Sequence, residues 1–273
     1  MRSRYSGLSL WGLRLLIVLL SAVTSSCGPR IELKGLVAGE TVRAVEATDG
    51  NLLVLEDGRV VRLAEIEAPS GQSGSGESAN IARLARARLQ ELAIGKPLLL
   101  AFGGRQSLDE VILAHVFDVS NRNRPIWLQA QMVQGGWSRV HSWSDNRARA
   151  TKLLAAEEMA RQARLGLWAQ PEFAIWSTTD LATAENPRRG FALVEGTLRD
   201  VANRDPRVYL NFGADWRTDF TASVDVKALN LWPHGADDLS ALVGKRIRVR
   251  GVLRERNGPM IDVDHPEQIE IIL

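Results

Sequence analysis

Two segments that read as β-strands, 42–55 and 59–66, meet across Glu56-Asp57-Gly58, and this pairing constrains the fold more than any other part of the chain. Glycine supplies the backbone freedom that a hairpin turn needs. A glycine/serine loop over 70–76 follows. Ile81, Leu84, Ala85, Leu89 and Leu92 then recur at helical spacing until Gly95 and Pro97 supply a stop. Arg83, Arg86 and Arg88 lie on that helix among Glu77, Gln90 and Glu91, the pattern of a solvated face. Further strands are predicted over 96–102 and 111–119, with a short helix over 125–135. A longer amphipathic helix is predicted over about 146–165, with Ser144-Asp145 as its capping signal and Gly166 as its stop. This order implies a mainly β fold with helices (α+β).

The ribbon carries Asp49-Gly50-Asn51-Leu52 and then Val61-Arg62-Leu63-Ala64-Glu65-Ile66-Glu67-Ala68-Pro69-Ser70. It resembles the D-G-D-T and R-L-x-x-I-D-x-P-E active-site ribbon of the staphylococcal nuclease family. The similarity runs from about Thr41 to Trp168, where Ala160-Arg161 and Gly166-Leu167-Trp168 are similar to the family's A-R-x-x-x-x-G-L-W close. The resemblance implies a five-stranded oligonucleotide/oligosaccharide-binding (OB) barrel decorated with helices. It also implies a site in which two aspartates and a backbone carbonyl hold calcium, a glutamate activates water, and two arginines neutralise phosphoryl charge.

Mapped onto this chain, that site is altered. Asn51 replaces the first aspartate ligand and Glu67 the second, so a charge is lost at one position and a methylene gained at the other. Ser70 stands at the base position, and a hydroxyl near neutral pH accepts no proton without a base of its own. Arg62 matches the first arginine, but Val111, ahead of Leu113-Ala114-His115, falls where the second belongs. Arg62 and Glu67 are therefore expected as remnants of the catalytic set. Asp49, Asn51 and Glu67 are weak candidates for a metal, calcium if the chain is active. Asp109 and Glu110 are the further carboxylates a rearranged acidic site would use, solvated turns being their ordinary alternative. Trp137, His141 and Trp143 lie near where the family places aromatics against the substrate base, and stacking there would suit a single-stranded ligand. Packing in a core or rim is the plainer explanation of such tryptophans.

At the amino terminus, Arg2, Arg4 and Arg14 precede Leu15-Leu16-Ile17-Val18-Leu19-Leu20, an apolar run too short to span a bilayer. The run leads to Cys27, the one cysteine, in Val23-Thr24-Ser25-Ser26-Cys27-Gly28. This resembles a bacterial lipobox, and implies a signal over 1–27, a lipid on Cys27, a tether over 28–40 and a place in the cell envelope. An ordinary secretory signal with an incidental thiol is the alternative.

The nuclease-like domain is expected over 41–176, a linker over 177–190 and a second OB-like β-barrel over 191–273. Strands there are predicted over 191–198, 207–212, 220–226, 245–253 and 260–263, with turns at Gly213-Ala214-Asp215, Gly244 and Asn257-Gly258-Pro259. Tyr209, Asn211, Trp216 and Arg217 are candidates for a binding patch, with Trp216 as its stacking ring. Asp262, Asp264 and His265 on one strand edge are not a coordination set.

Net charge falls from +2 for the whole chain to −1 once the three signal arginines are removed. Nucleic-acid binders without sequence preference usually carry a basic footprint, so any such footprint has to be local. The expected function is an exported, lipid-anchored protein with a degenerate site that binds an envelope protein, a glycan or single-stranded nucleic acid. The alternative is a divergent metal-dependent nuclease outside the cytoplasm that hydrolyses DNA or RNA.

Overall fold

A computed structural model describes residues 31–70, 77–183, 190–215 and 217–272. The predicted ribbon is there. Strand Ala44–Asp49 turns at Gly50-Asn51 into Leu52–Leu55, which pairs antiparallel with Val60–Leu63. Val60–Leu63 then pairs parallel with Val111–Asp118, which pairs antiparallel with Leu98–Phe102, itself joined to Val37–Val42. Because Val37–Val42 and Ala44–Asp49 are one run of chain bent at Arg43, the sheet path starts and finishes on the same run and curls into an OB-like barrel.

Helix α1 (Glu77–Ala93) bridges the third and fourth barrel strands and buries Ala85 and Leu89 completely against Leu53, Val61 and Leu63. Its approach to the ribbon requires glycine at position 50. A Cβ there would stand 2.7 Å from the Ala68 Cβ and 2.8 Å from the Ala85 Cβ.

Two expectations are corrected. The segment predicted as a helix over 125–135 begins as a short strand, Ile126–Trp127, on the edge of Val111–Asp118, and only Leu128–Gln134 is helical (α2). The last helix starts at Ala150 and ends at Gln162 (α3), and Ser144-Asp145 do not cap it. Asp145 is drawn instead to Arg105, whose Nε donates to its Oδ2 at 2.8 Å, and Asn146 bridges back to Trp143. The Arg149 N–H, at the start of α3, donates to the carboxylate of Glu65 at 3.1 and 3.2 Å. A fully buried carboxylate thus does the capping, where helix-end N–H groups and the helix dipole both favour negative charge.

The second barrel repeats the topology of the first. Gly190–Thr197 pairs with Arg246–Glu255, the chain bends into Asp200–Arg204, and that strand leads the meander through Arg207–Asn211 to Thr221–Asp225. Thr221–Asp225 runs parallel to Pro259–Val263, which returns to Arg246–Glu255. Strand Asp200–Arg204 was not among the predicted strands, because Asp-Val-Ala-Asn-Arg lacks apolar alternation; pairing with Arg207–Asn211 recruits it. Part of the segment expected as a linker is also structured. Trp176–Ser177 pairs parallel with Val194-Glu195, the Ser177 hydroxyl accepts the Asp180 N–H at 3.0 Å, and Leu181 of helix α4 (Thr178–Thr183) enters the second core.

The barrels meet through a buried ionic cluster. Arg250 is 1% exposed and Glu157, on α3, is fully buried. The Arg250 Nη2 donates to Glu157 Oε2 at 2.7 Å and to Glu270 Oε1 at 2.5 Å, while Nη1 donates to the Val140 carbonyl at 3.0 Å. Glu157 also accepts the Val140 N–H at 2.8 Å and Arg161 Nη1 at 2.9 Å. Burial works against the Arg250 charge, yet Glu157 and Glu270 outweigh it and hold its pKa above the ordinary value.

Removing one partner of a buried pair strands the other, so Glu157→Ala is expected to cost about 3–5 kcal/mol of unfolding free energy in urea. Glu157→Leu combined with Arg250→Met is expected to lose less than Glu157→Ala alone, because it does not strand the buried Arg250 guanidinium without its carboxylate.

Candidate functional site

The residues that the ribbon brings together are Asp49, Arg62, Glu67 and, from strand Arg139–Val140, Arg139 and His141. Glu67 lies opposite Arg139 in a short antiparallel pair, which sets the neighbouring His141 beside the Glu67 carboxylate. The His141 Nδ1 is 3.5 Å from Glu67 Oε2, close enough for attraction but not aligned for a hydrogen bond. Arg62 Nη1 stands 3.9 Å from the same oxygen. Burial pushes the Glu67 carboxyl up, but His141, Arg62 and Arg139 outweigh it and leave its pKa below the ordinary glutamate value. Arg139 keeps its cation even though burial pushes its pKa down to about 10.

Asp49 is partly buried at the mouth of the turn, and Gly50 N–H donates to its Oδ1 at 2.6 Å. Burial raises the Asp49 pKa, the Gly50 bond opposes that rise, and the negative Glu67 adds to it. Asn51 is 4% exposed, and its Nδ2 donates to the Ile66 carbonyl at 3.2 Å while its backbone carbonyl accepts the Leu63 N–H at 2.8 Å. The side chain at the first metal position therefore staples the turn to the ribbon.

These donors do not fit calcium. That ion takes six to eight oxygens and favours charged ones. Here Glu67 is compensated by Arg62 and Arg139, and Asn51 offers a neutral amide oxygen with its Nδ2 tied to the Ile66 carbonyl. Among the described residues no three His, Cys, Asp or Glu side chains converge as a metal site. Asp109 and Glu110, the extra acids of the rearranged-site alternative, lie elsewhere. They are the exposed central pair of a tight hairpin between Ser107–Leu108 and Val111, with φ of 48° and 67°. Val111 opens the strand that follows, and Ser70 is exposed at the end of the ribbon.

The aromatic row is engaged by protein. Trp137 packs against the first core. The His141 ring lies 4.9 Å from that of Trp143 on one side and 4.5 Å from that of Phe191 on the other. Phe191 belongs to the second barrel, and the Arg139 guanidinium sits 4.8 Å above its ring. Ser142, next in the row, meets His265 Nε2 at 2.8 Å, and His265 Nδ1 meets Asp264 at 2.5 Å. With Ser142 4% exposed and His265 fully buried, this chain of contacts ties the barrels together. Of the remaining candidates, Cys27 and Trp216 lie outside the described residues. The Arg217 N–H donates to Asp215 Oδ1, and Tyr209 and Asn211 sit side by side on the outer face of Arg207–Asn211.

Glu65 is the residue that sequence reasoning missed. Its backbone has φ of 63°, and its carboxylate joins the start of α3 to His115 Nε2 at 3.2 Å. An acidic residue between Ala64 and Ile66 in an otherwise apolar run was the available signal.

A carboxyl whose folded pKa is raised gives stability that is complete below its unfolded pKa and is lost as pH rises through the folded value. Asp49→Asn keeps the acceptor for Gly50 and removes the charge, so it is expected to raise the thermal midpoint at neutral pH. The gain should vanish below about pH 4, where the wild-type carboxyl is itself protonated. Glu67 has the opposite sign. Its contribution is present above the ordinary glutamate value and is lost as pH falls through its lowered folded value, so Glu67→Gln should lower the midpoint at neutral pH and not in acid.

Residues 60–170 match the family model described as staphylococcal nuclease homologue. The match opens in the strand that carries Arg62 and closes just beyond Trp168, leaving Asp49, Asn51 and the second barrel outside it. No curated protein matches the chain. The chain carries a staphylococcal nuclease-like domain, which points to nuclease-related or nucleic-acid-binding function.

Proposed function

We propose that this chain is an exported, lipid-anchored member of the nuclease-like group whose site has degenerated, and that it works in the cell envelope by binding rather than cutting. The observation that carries the reading is the commitment of the site's own groups: Asn51 bonds Ile66, Glu67 is held between His141 and Arg62, and position 70 offers a hydroxyl in place of a base. Phosphodiester cleavage needs a group to take a proton from water and cations aimed at the phosphoryl oxygens. Arg62 alone supplies neither a base nor a metal. The tether rests on Cys27 and the apolar run before it, and its consequence is attachment to a membrane surface through lipid. Partners in keeping with the near-neutral charge are an envelope protein, a glycan or a local stretch of nucleic acid.

Divergent nuclease activity is the second reading, favoured by the proximity of Arg62, Glu67 and Asp49. The two separate in a plasmid- and single-strand-degradation assay with added calcium. Wild-type protein is expected to leave DNA intact, whereas Asn51→Asp/Ser70→Glu/Val111→Arg gains cutting by about 10²-fold or more over background. Calcium-dependent cutting by the wild type, abolished in Arg62→Ala, would establish the second reading instead. Cys27→Ser should move the protein from the membrane to the soluble fraction, and unchanged fractionation would remove the lipid from the proposal.

A further inference from the structure

The outer face of the second barrel holds a groove of about 540 Å³, formed by Asp200–Arg204, Arg207–Asn211, the start of Thr221–Asp225 and the turn at Arg256-Asn257. That volume falls within the roughly 300–1,000 Å³ of small-ligand sites. Its chemistry is unlike that of the surrounding surface. Arg207 on the same strand is neutralised by Asp262 at 2.6 Å, Arg246 and Arg248 by Glu195, and Arg250 by Glu157 and Glu270. Arg204 and Arg256 line the groove and, among the described residues, reach no carboxylate; the Arg204 guanidinium touches only the Asn203 carbonyl. With them are the half-buried ring of Tyr209 and the Asn211 amide, whose Nδ2 donates at 3.3 Å to the carboxylate of Asp200, the one acid of the lining. Thr221 also lines the groove, is 3% exposed, and its hydroxyl has no hydrogen-bond partner among the described residues. A buried hydroxyl left unpaired costs free energy, and a ligand atom is one way to satisfy it.

We infer that this groove binds a single-stranded nucleic-acid segment, with a base on Tyr209, flanking phosphates on Arg204 and Arg256, and the base edge read by Asn211 and Thr221. Two such guanidiniums in one groove with an aromatic ring fit a ligand that alternates anionic and flat units. A neutral glycan would use the ring and the amide but leave both cations idle. The near-zero net charge is no obstacle, since the footprint is local and Arg207, Arg246 and Arg248 are already compensated. The site is separate from the ribbon of the first barrel and does not depend on whether that ribbon cuts.

The test is fluorescence anisotropy of the full chain with a labelled oligothymidylate of about 12 nucleotides, with chelator present so that no cutting intervenes. Wild-type protein should bind at low salt. Arg204→Glu/Arg256→Glu should weaken binding at least about tenfold and reduce the salt slope by about 1.4, at roughly 0.7 per phosphate contact on a single strand. Tyr209→Ala should lose between about fivefold and a hundredfold, and Tyr209→Phe should restore most of it. Arg62→Ala, in the first barrel, should leave affinity unchanged. The thermal midpoint of the double arginine variant should match wild type, since both side chains are exposed. The inference is overturned if the oligonucleotide fails to bind at low salt, or if the arginine and tyrosine variants bind as wild type does. It is equally overturned if a neutral or sulfated oligosaccharide binds more tightly than the oligonucleotide and is the ligand lost in those variants.

Discussion

Arg250 and Glu157 hold two barrels in one arrangement, and the positions of the other interface groups follow from theirs. A guanidinium and a carboxylate taken out of water are costly apart and tolerable only in contact, with their remaining donors and acceptors satisfied. Here Glu157 answers Arg250, Arg161 and the Val140 N–H at once, and Glu270 takes the other side of Arg250. The Val140 carbonyl is bound by the same guanidinium, so the strand bearing Arg139 and His141 is fixed by the contact that fixes the domains. Arg248 and Arg161 carry the network out toward Glu158 at the surface.

That arrangement decides what the nuclease-like site can present. In the aromatic row that the resemblance places against a substrate base, the His141 ring packs tilted against Phe191 of the second barrel, and Ser142 is spent on His265. Glu67 sits near the Arg62 and Arg139 guanidiniums, which supply locally the compensation that a metal ion would otherwise provide. The second barrel differs in the use of its outer face. Its arginines near Asp262 and Glu195 are paired, while Arg204 and Arg256, which line the groove beside Tyr209, reach no carboxylate among the described residues.

Elements with strong local signals were legible in the sequence: the hairpin across Glu56-Asp57-Gly58, the apolar stripe of α1, and the five alternating strands beyond the linker. The pattern failed where a long-range partner outbid the local one. Ser144-Asp145 has the composition of a cap, but Arg105 and Trp143 claim that segment, and a carboxylate 84 residues earlier in the chain meets the start of α3. Strand Asp200–Arg204 has little strand character of its own and exists because its neighbour offers a full ladder.

The sequence by itself determined the β-rich barrel with its helices, the nuclease-like resemblance, and the replacements at Asn51, Ser70 and Val111. Each of these depends on residue identity at a given spacing along the chain. Only the tertiary structure decided that Glu65 caps a helix, that the Asn51 side chain bonds the backbone, that His141 packs between Trp143 and Phe191, and that Arg204 and Arg256 reach no carboxylate among the described residues. Those outcomes depend on which charges and rings meet after the chain has closed two barrels against each other, and burial and pairing energies are properties of that meeting.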